Sequence, residues 1–269
     1  MRTVSEALVA LGGVAGTRTL LLAGVSRRRL ESGLSDGSVQ RVARGVFALP
    51  HADPVLIHAA RYHAAPGCVT AALASGLWVV KAPEKPHLAA RHGRQIPGCV
   101  VHRSDLPLTP VDIVCQSLRC LPPLEGLTIA ESAVKKGQVQ LAALRARFPA
   151  AREKAMLNLI GRIRPQSGSI IETIARYLLE EAGLTVELQV NIPGMGHLDL
   201  LVDGLLGIEA DGYAHHSSRE AYREDRRRWN VTVMRGVPTL RVTFEMLVHE
   251  PAEFVGIVLR TLALYGAAR

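Results

Sequence analysis

The chain has 269 residues, 48% hydrophobic and 4% aromatic, with a formal net charge of +8. That length sets an expectation of roughly two or three compact units. The longest apolar run, VTAALASGLWVV, falls far short of the roughly 20 residues of a membrane span, and MRTVSEALVALGG, with Glu6 and no long apolar stretch, does not read as a signal peptide. A soluble, cytoplasmic protein without membrane contact is expected. The charge is uneven. Residues 1–164 hold 22 Lys and Arg against 10 Asp and Glu, a net +12, and residues 165–269 hold 10 against 14, a net −4. A basic front half suits a polyanionic partner, most simply nucleic acid. An acidic back half suits carboxylates that hold a metal ion.

In chain order, VSEALVAL has helical spacing and stops at Gly12-Gly13, and TRTLLLA fits a second short helix. Gly24-Val25 makes a turn, and Ser26 is a good N-cap for RRRLESGL. Helix, turn, helix places Arg27, Arg28 and Arg29 in the first turn of a recognition helix. Cations there oppose the helix dipole, a cost that a phosphate between them removes. The runs VQRVA and VFAL flank Arg44-Gly45 and predict a hairpin wing carrying Arg41 and Arg44. A winged helix-turn-helix over residues 1–50 is preferred to a three-helix cap with a solvated basic face.

Residues 51–164 predict a middle α/β module and linker. DPVLIHAARYHA and GCVTAALASGLWVV look helical, and PHLAARHG and GCVVHRSDLP look like strands. PPLEGLTIAESAVKKGQVQLAALRARF reads as two helices around Lys136-Gly137, and RIRPQSGS as a linker. His102-Arg103 reads as a polar pair at a strand end. The cysteines, Cys68, Cys99, Cys115 and Cys120, form no CxxC pair, which argues against zinc. Small buried thiols in a reducing compartment are expected.

Residues 165–269 predict an α/β domain with a mixed sheet flanked by helices. SGSIIETIARYLLEEAG is an amphipathic helix, with Ser169 and Glu172 at capping-box spacing. LTVELQVNI, HLDLLV and LLGIEAD are strands, SREAYREDRRRWNVTVMRG a helix, VPTLRVT a strand, and EPAEFVGIVLRTLAL a closing helix. Three acids stand among apolar neighbours: Asp199, Glu209 and Asp211. Positions two apart in a strand share a face, so Glu209 and Asp211 point together. A two-residue turn at 203–204 puts Asp199 on the other face; a three-residue turn at 203–205 pairs it with Glu209. The second register is expected, with a divalent cation offsetting the repulsion. Oxygen ligands favour Mg2+ or Mn2+. The competing expectation is acids at a solvated edge, or paired with Arg226 or Arg241.

SIIE, HLDLLV, IEADGYAHH, DRRRWN and TLRVTF, in that order over residues 167–265, resemble the PD-(D/E)XK nuclease superfamily, in its branch akin to very-short-patch-repair (Vsr) endonucleases. The resemblance implies a helix acid (Glu172), a metal-binding aspartate (Asp199) and a second acid (Glu209), with the Ala210 carbonyl as a further ligand. The signature lysine is replaced by Asp211, which leaves His215 or His216 as candidates for general base. Arg226 and Arg228 are expected to steady phosphate or close the sheet. Residues 1–150, with GVFALP and VVHRSDLP, resemble AbiEi-type antitoxin proteins of abortive-infection systems. Such proteins bind DNA as regulators. A DNA-binding, metal-dependent endonuclease is therefore expected. The alternatives are a regulator whose nuclease fold is silent and an antitoxin acting through a protein partner. A homodimer stays open.

Overall fold

A computed structural model describes residues 3–149, 152–211 and 219–267, with backbone alone at 219–222, 224 and 225. The chain is mixed α/β with three small sheets. It divides into two compact units: residues 1–77 with 81–120, and residues 78–80 with 121–269. No helix among the described residues is long and apolar enough to cross a membrane.

The first unit opens with α1 (Val4–Ala10), closed at its start by a capping box. Thr3 Oγ1 accepts from Glu6 N–H at 3.1 Å, and Glu6 Oε2 accepts from Thr3 N–H at 2.8 Å. Next come β1 (Val14–Gly16), α2 (Thr17–Leu22) and α3 (Arg27–Ser35). The expected cap on α3 is present: Ser26 Oγ accepts from Arg29 N–H at 3.4 Å. The hairpin β2 (Gln40–Ala43) and β3 (Val46–Ala48) turns at Arg44-Gly45, where Gly45 has φ +72°. This is a conformation that residues with a Cβ seldom adopt. The sheet order is β1-β3-β2, all antiparallel. Leu8, Leu20, Val25, Leu30 and Phe47 bury together and lock these elements.

The same unit continues through α4 (Pro54–Arg61), β4 (Ala65–Pro66), α5 (Cys68–Ala74), β5 (His87–Ala90), β6 (Val100–Arg103) and α6 (Pro110–Cys120). The second sheet runs β4-β5-β6, with β5 and β6 parallel. A Cβ at Gly67 would meet Gln116 Oε1 at 2.8 Å and Ala89 Cβ at 3.1 Å. Glycine at that point lets the start of α5 close onto β5 and α6.

The second unit contains α7 (Pro123–Lys135), α8 (Leu141–Arg145), α9 (Lys154–Gly161) and α10 (Ile170–Glu181). Then follow β7 (Val186–Ile192), β8 (Gly196–Val202), β9 (Leu206–Asp211), α11 (Arg219–Met234), β10 (Thr239–Thr243), α12 (Phe244–His249) and α13 (Pro251–Gly266). The sheet order is β10-β9-β8-β7, with β9 and β10 parallel and the other pairs antiparallel. Leu200, Val202, Leu206, Ile208 and Val242 face Ile171, Ile174 and Leu179 of α10 and Phe254 and Val258 of α13. Glu209 and Arg241, at odd-numbered positions, point instead toward Arg228, Trp229 and Thr232 of α11.

Residues 121–164, grouped with the middle module on sequence, pack within this unit. A buried ion pair shows why. Arg176, 1% exposed, places Nη2 2.7 Å from Glu131 Oε2, and Glu131 is fully buried. Glu131 also accepts from Thr173 Oγ1 at 2.6 Å and Arg164 N–H at 2.7 Å. The RIRPQSGS stretch is likewise held down: Ile163 is 4% and Ser167 0% exposed.

Candidate functional site

The site is built where α10 meets the β7–β8–β9 meander. Ser169 Oγ accepts from Glu172 N–H at 3.2 Å, the first half of the capping box. The Glu172 carboxylate reaches one residue past the cap, where Oε2 accepts from Gly168 N–H at 2.7 Å. A Cβ on Gly168 would stand 2.7 Å from Glu172 Oε1, so glycine makes room for the carboxylate. Glu172 is 4% exposed. Burial raises its pKa above the ordinary range and the Asp199 charge adds to that; the Gly168 N–H, Gln189 and Ser169 pull it back.

The β8–β9 hairpin takes the three-residue turn expected from its sequence. Val202 pairs with Leu206, Leu201 with Gly207 and Leu200 with Ile208. Extending that register sets Asp199 across from Glu209. Asp203 and Gly204 make the turn with φ +48° and +65°, and Leu205 N–H donates to Val202 O at 2.9 Å. At Asp199 the side chain enters the strand spacing: Oδ2 accepts from Ala210 N–H at 2.9 Å.

Glu209 is the most perturbed acid of the site. Burial pushes its pKa up to about 7, with Asp199 and Asp211 adding to the rise and Arg228 and Arg241 opposing it. Arg228 Nη2 lies 3.8 Å from Glu209 Oε1, an ion pair beyond hydrogen-bond reach. Glu209 Oε1 is buried without a hydrogen-bond partner. Asp211 stands 3.8 Å from Arg241 Nε, so one arginine weighed from sequence as an acid's partner does occupy that place. The other, Arg226, lies 4.9 Å from the centre of the Trp229 ring, as Arg241 does at 4.8 Å. Arg228 donates to His197 O at 2.9 Å and so ties α11 to β8. His215 and His216 lie outside the described residues.

Gln189 does not stand out in the sequence, where it sits in VELQVNI among Glu187 and Asn191 as one more polar face residue. Its neighbours Leu188 and Val190 pair with Leu200 and Leu198, which sets Gln189 across from Asp199. Its backbone has φ +52°. A glutamine held there costs on the order of 1–3 kcal/mol, a strain that concentrates at functional sites. Its amide donates to Glu172 Oε2 at 2.9 Å and to Asp199 Oδ1 at 3.3 Å, linking the helix acid to the strand acid.

Arg27, Arg28, Arg29, Arg41 and Arg44 all lie in the first unit. Arg27 and Arg28 are exposed at the start of α3, and Arg29 is partly buried. Arg41 lies 5.5 Å from the centre of the Phe47 ring, and Arg44 is exposed at the hairpin turn.

The expectation of small buried thiols holds for two of the four cysteines. Cys68 and Cys115 are buried, Cys99 is intermediate and Cys120 is exposed. Cys68 and Cys120 join His87 and His102, with all four ligand atoms within 4.8 Å of one another. Among the described residues this is the one group of three or more His, Cys, Asp or Glu placed to hold a metal ion. His102 and Arg103 do end β6, as expected of a strand-end polar pair, and His102 Nε2 also lies 3.2 Å from His87 Nδ1. No protein-family model matches the chain, and no curated protein matches it.

Proposed function

We propose that this chain is a DNA-binding endonuclease that hydrolyses phosphodiester bonds with Mg2+ or Mn2+, of the PD-(D/E)XK kind and nearest the Vsr-like branch. The observation that carries this reading is the setting of Glu209. It is partly buried near the Asp199 charge, its pKa is raised to about 7, and its buried Oε1 lacks any hydrogen-bond donor. A structural carboxylate is normally satisfied by its neighbours; this one is left needing positive charge.

The residues fit a divalent cation. The donor set is all oxygen, as Mg2+ and Mn2+ prefer. Asp199 Oδ1 accepts from Gln189 and Oδ2 from the Ala210 N–H, and both oxygens keep acceptor capacity. Asp199 and Glu209 would hold the ion, with the Ala210 carbonyl as a further ligand. When bound, the ion supplies Lewis acidity at the phosphate and increases the acidity of water. Gln189 holds Asp199 and Glu172 in register for that task. Glu172 can orient water from the helix side. Arg228, fixed by its bond to His197 O, sets a guanidinium where an arriving phosphate oxygen gains a charge-assisted bond. Asp211 faces Arg241 and stands where the superfamily lysine would be, so His215 or His216 remains our proposed base.

The first unit supports a DNA-binding role. Its order of helix, strand, helix, helix and hairpin, with sheet order β1-β3-β2, suits a winged helix-turn-helix. The exposed Arg27 and Arg28 begin the helix that would enter the groove. An AbiEi-like regulator or antitoxin with a silent nuclease fold is the second reading. It is favoured by the arginines already facing Glu209 and Asp211.

A plasmid-nicking assay with Mg2+ separates the two. Asp199→Ala and Glu209→Ala should each lower the rate by on the order of 100-fold or more. Nicking that survives both changes would overturn the site. Wild-type silence on every DNA form, together with tight binding to one operator, would favour the regulator.

A further inference from the structure

Four residues from four elements meet in the first unit: Cys68 begins α5, His87 begins β5, His102 lies on β6, and Cys120 ends α6. We propose that they form a structural zinc site, Cys2His2 and tetrahedral, independent of the acidic site in the second unit.

Two of the ligand–ligand distances match those a zinc ion imposes. With Zn–N near 2.0–2.1 Å and Zn–S near 2.3 Å, a tetrahedron sets its nitrogens about 3.3 Å apart and nitrogen to sulfur about 3.6 Å apart. Here His87 Nδ1 lies 3.2 Å from His102 Nε2, and Cys120 Sγ lies 3.7 Å from His87 Nδ1. Sulfur to sulfur should be about 3.8 Å, and all four ligand atoms fall within 4.8 Å of one another. A direct His–His hydrogen bond accounts for the first distance alone. It does not account for two thiols converging on the same point.

The surroundings hold the ligands in place. Cys68 has φ +46°, a strained backbone for a side chain with a Cβ. Its N–H is held by Gln116 Oε1 at 2.9 Å, and the His87 N–H by Thr70 Oγ1 at 2.8 Å. Gly67 permits the close approach that brings Cys68 to β5. His87 pairs with Val100 and Ala89 with His102 across parallel strands, so both imidazoles stand on one face of the sheet. Cys120 is exposed and provides a way in for the ion. Two thiolates and two imidazoles select zinc over the hard cations expected in the second unit. An ion here would cross-link α5 and α6 to a sheet whose strands have two, four and four residues.

The test is zinc titration of the full-length chain, first stripped with a chelator, in competition with a chromophoric zinc indicator. One Zn2+ per chain is expected, with a rise in melting temperature on loading. Cobalt in place of zinc should give the intense visible bands of a tetrahedral thiolate site. Cys120→Ser, at an exposed position, and His102→Gln should each weaken zinc binding at least 10-fold. The Asp199→Ala, Glu209→Ala double variant should bind zinc as the wild type does. Zinc binding lost only in the double variant, binding unchanged in both Cys120→Ser and His102→Gln, or no zinc bound by the wild-type chain would overturn the proposal.

Discussion

Glu131, fully buried, and Glu209, partly buried, belong to the same unit, and they are treated in opposite ways. Glu131 is saturated: Arg176 at 2.7 Å, Thr173 at 2.6 Å and the Arg164 N–H at 2.7 Å fill its oxygens. Glu209 has Arg228 at 3.8 Å, feels the charges of Arg241 and of two nearby acids, and has an oxygen with no hydrogen-bond partner. A carboxylate that serves the scaffold is completed by the chain. On the proposed reading, the carboxylate that serves chemistry is left incomplete, and stability is given up for it.

The sharpest way to break this contrast is to remove the partner of the saturated acid. Arg176→Ala should cost about 3–5 kcal/mol, since it strands a buried carboxylate; urea denaturation measures it. A loss below about 1 kcal/mol would mean that Glu131 is not a scaffold residue.

The next test is Glu209→Gln. Nicking should fall by about 100- to 1,000-fold, while stability at pH 8 without metal should rise. The sign follows from linkage. The folded-state pKa of about 7 lies above the ordinary value of 4.5, so between those pH values the folded state holds the extra proton. Stability therefore falls as pH rises through that window. The full effect is about 3 kcal/mol at most. Melting temperatures from pH 4 to 8 should flatten in the variant, and wild-type-like pH dependence would show that Glu209 is not strained.

Gln189→Leu is subtler. It removes one amide from two acids, and a cost of about 1–3 kcal/mol is expected. The Mg2+ concentration for half-maximal nicking should rise more than in a surface control such as Glu187→Ala. Equal Mg2+ requirements would reduce Gln189 to a packing residue.

The smallest effect is expected in the first unit. Arg27→Ala and Arg28→Ala should weaken DNA binding and lower the slope of log affinity against log salt by about 0.9 for each phosphate no longer neutralised. Electrophoretic shifts at several salt concentrations read this directly. Unchanged binding would place the DNA-contacting helix elsewhere.

Much of the second unit is legible because its signals are local. Ser169 before IIET marks the start of α10, and Asp203-Gly204 marks a turn that fixes the register of Asp199 against Glu209. The capping of α3 by Ser26 and the β2–β3 hairpin around Arg44-Gly45 are legible in the same way. Helix α6 is not read from the sequence, although PVDIVCQSLRC buries Val114, Cys115 and Leu118 on one helical face. Gln189 is hidden because an alternating strand gives a solvated polar residue and a bridging one the same pattern.

By itself, the amino-acid sequence determined the Ser26 and Ser169 caps, the hairpin turns and the order of elements in the last hundred residues apart from α12. These depend on φ preferences, side-chain-to-backbone bonds and periods of 2 and 3.6 residues, all within a few positions of each other. Only the tertiary structure decided that Gln189 joins Glu172 to Asp199, that Arg176 completes Glu131, and that Cys68, His87, His102 and Cys120 share one point. Those meetings join separate elements, and no local pattern records which side chains packing will bring face to face.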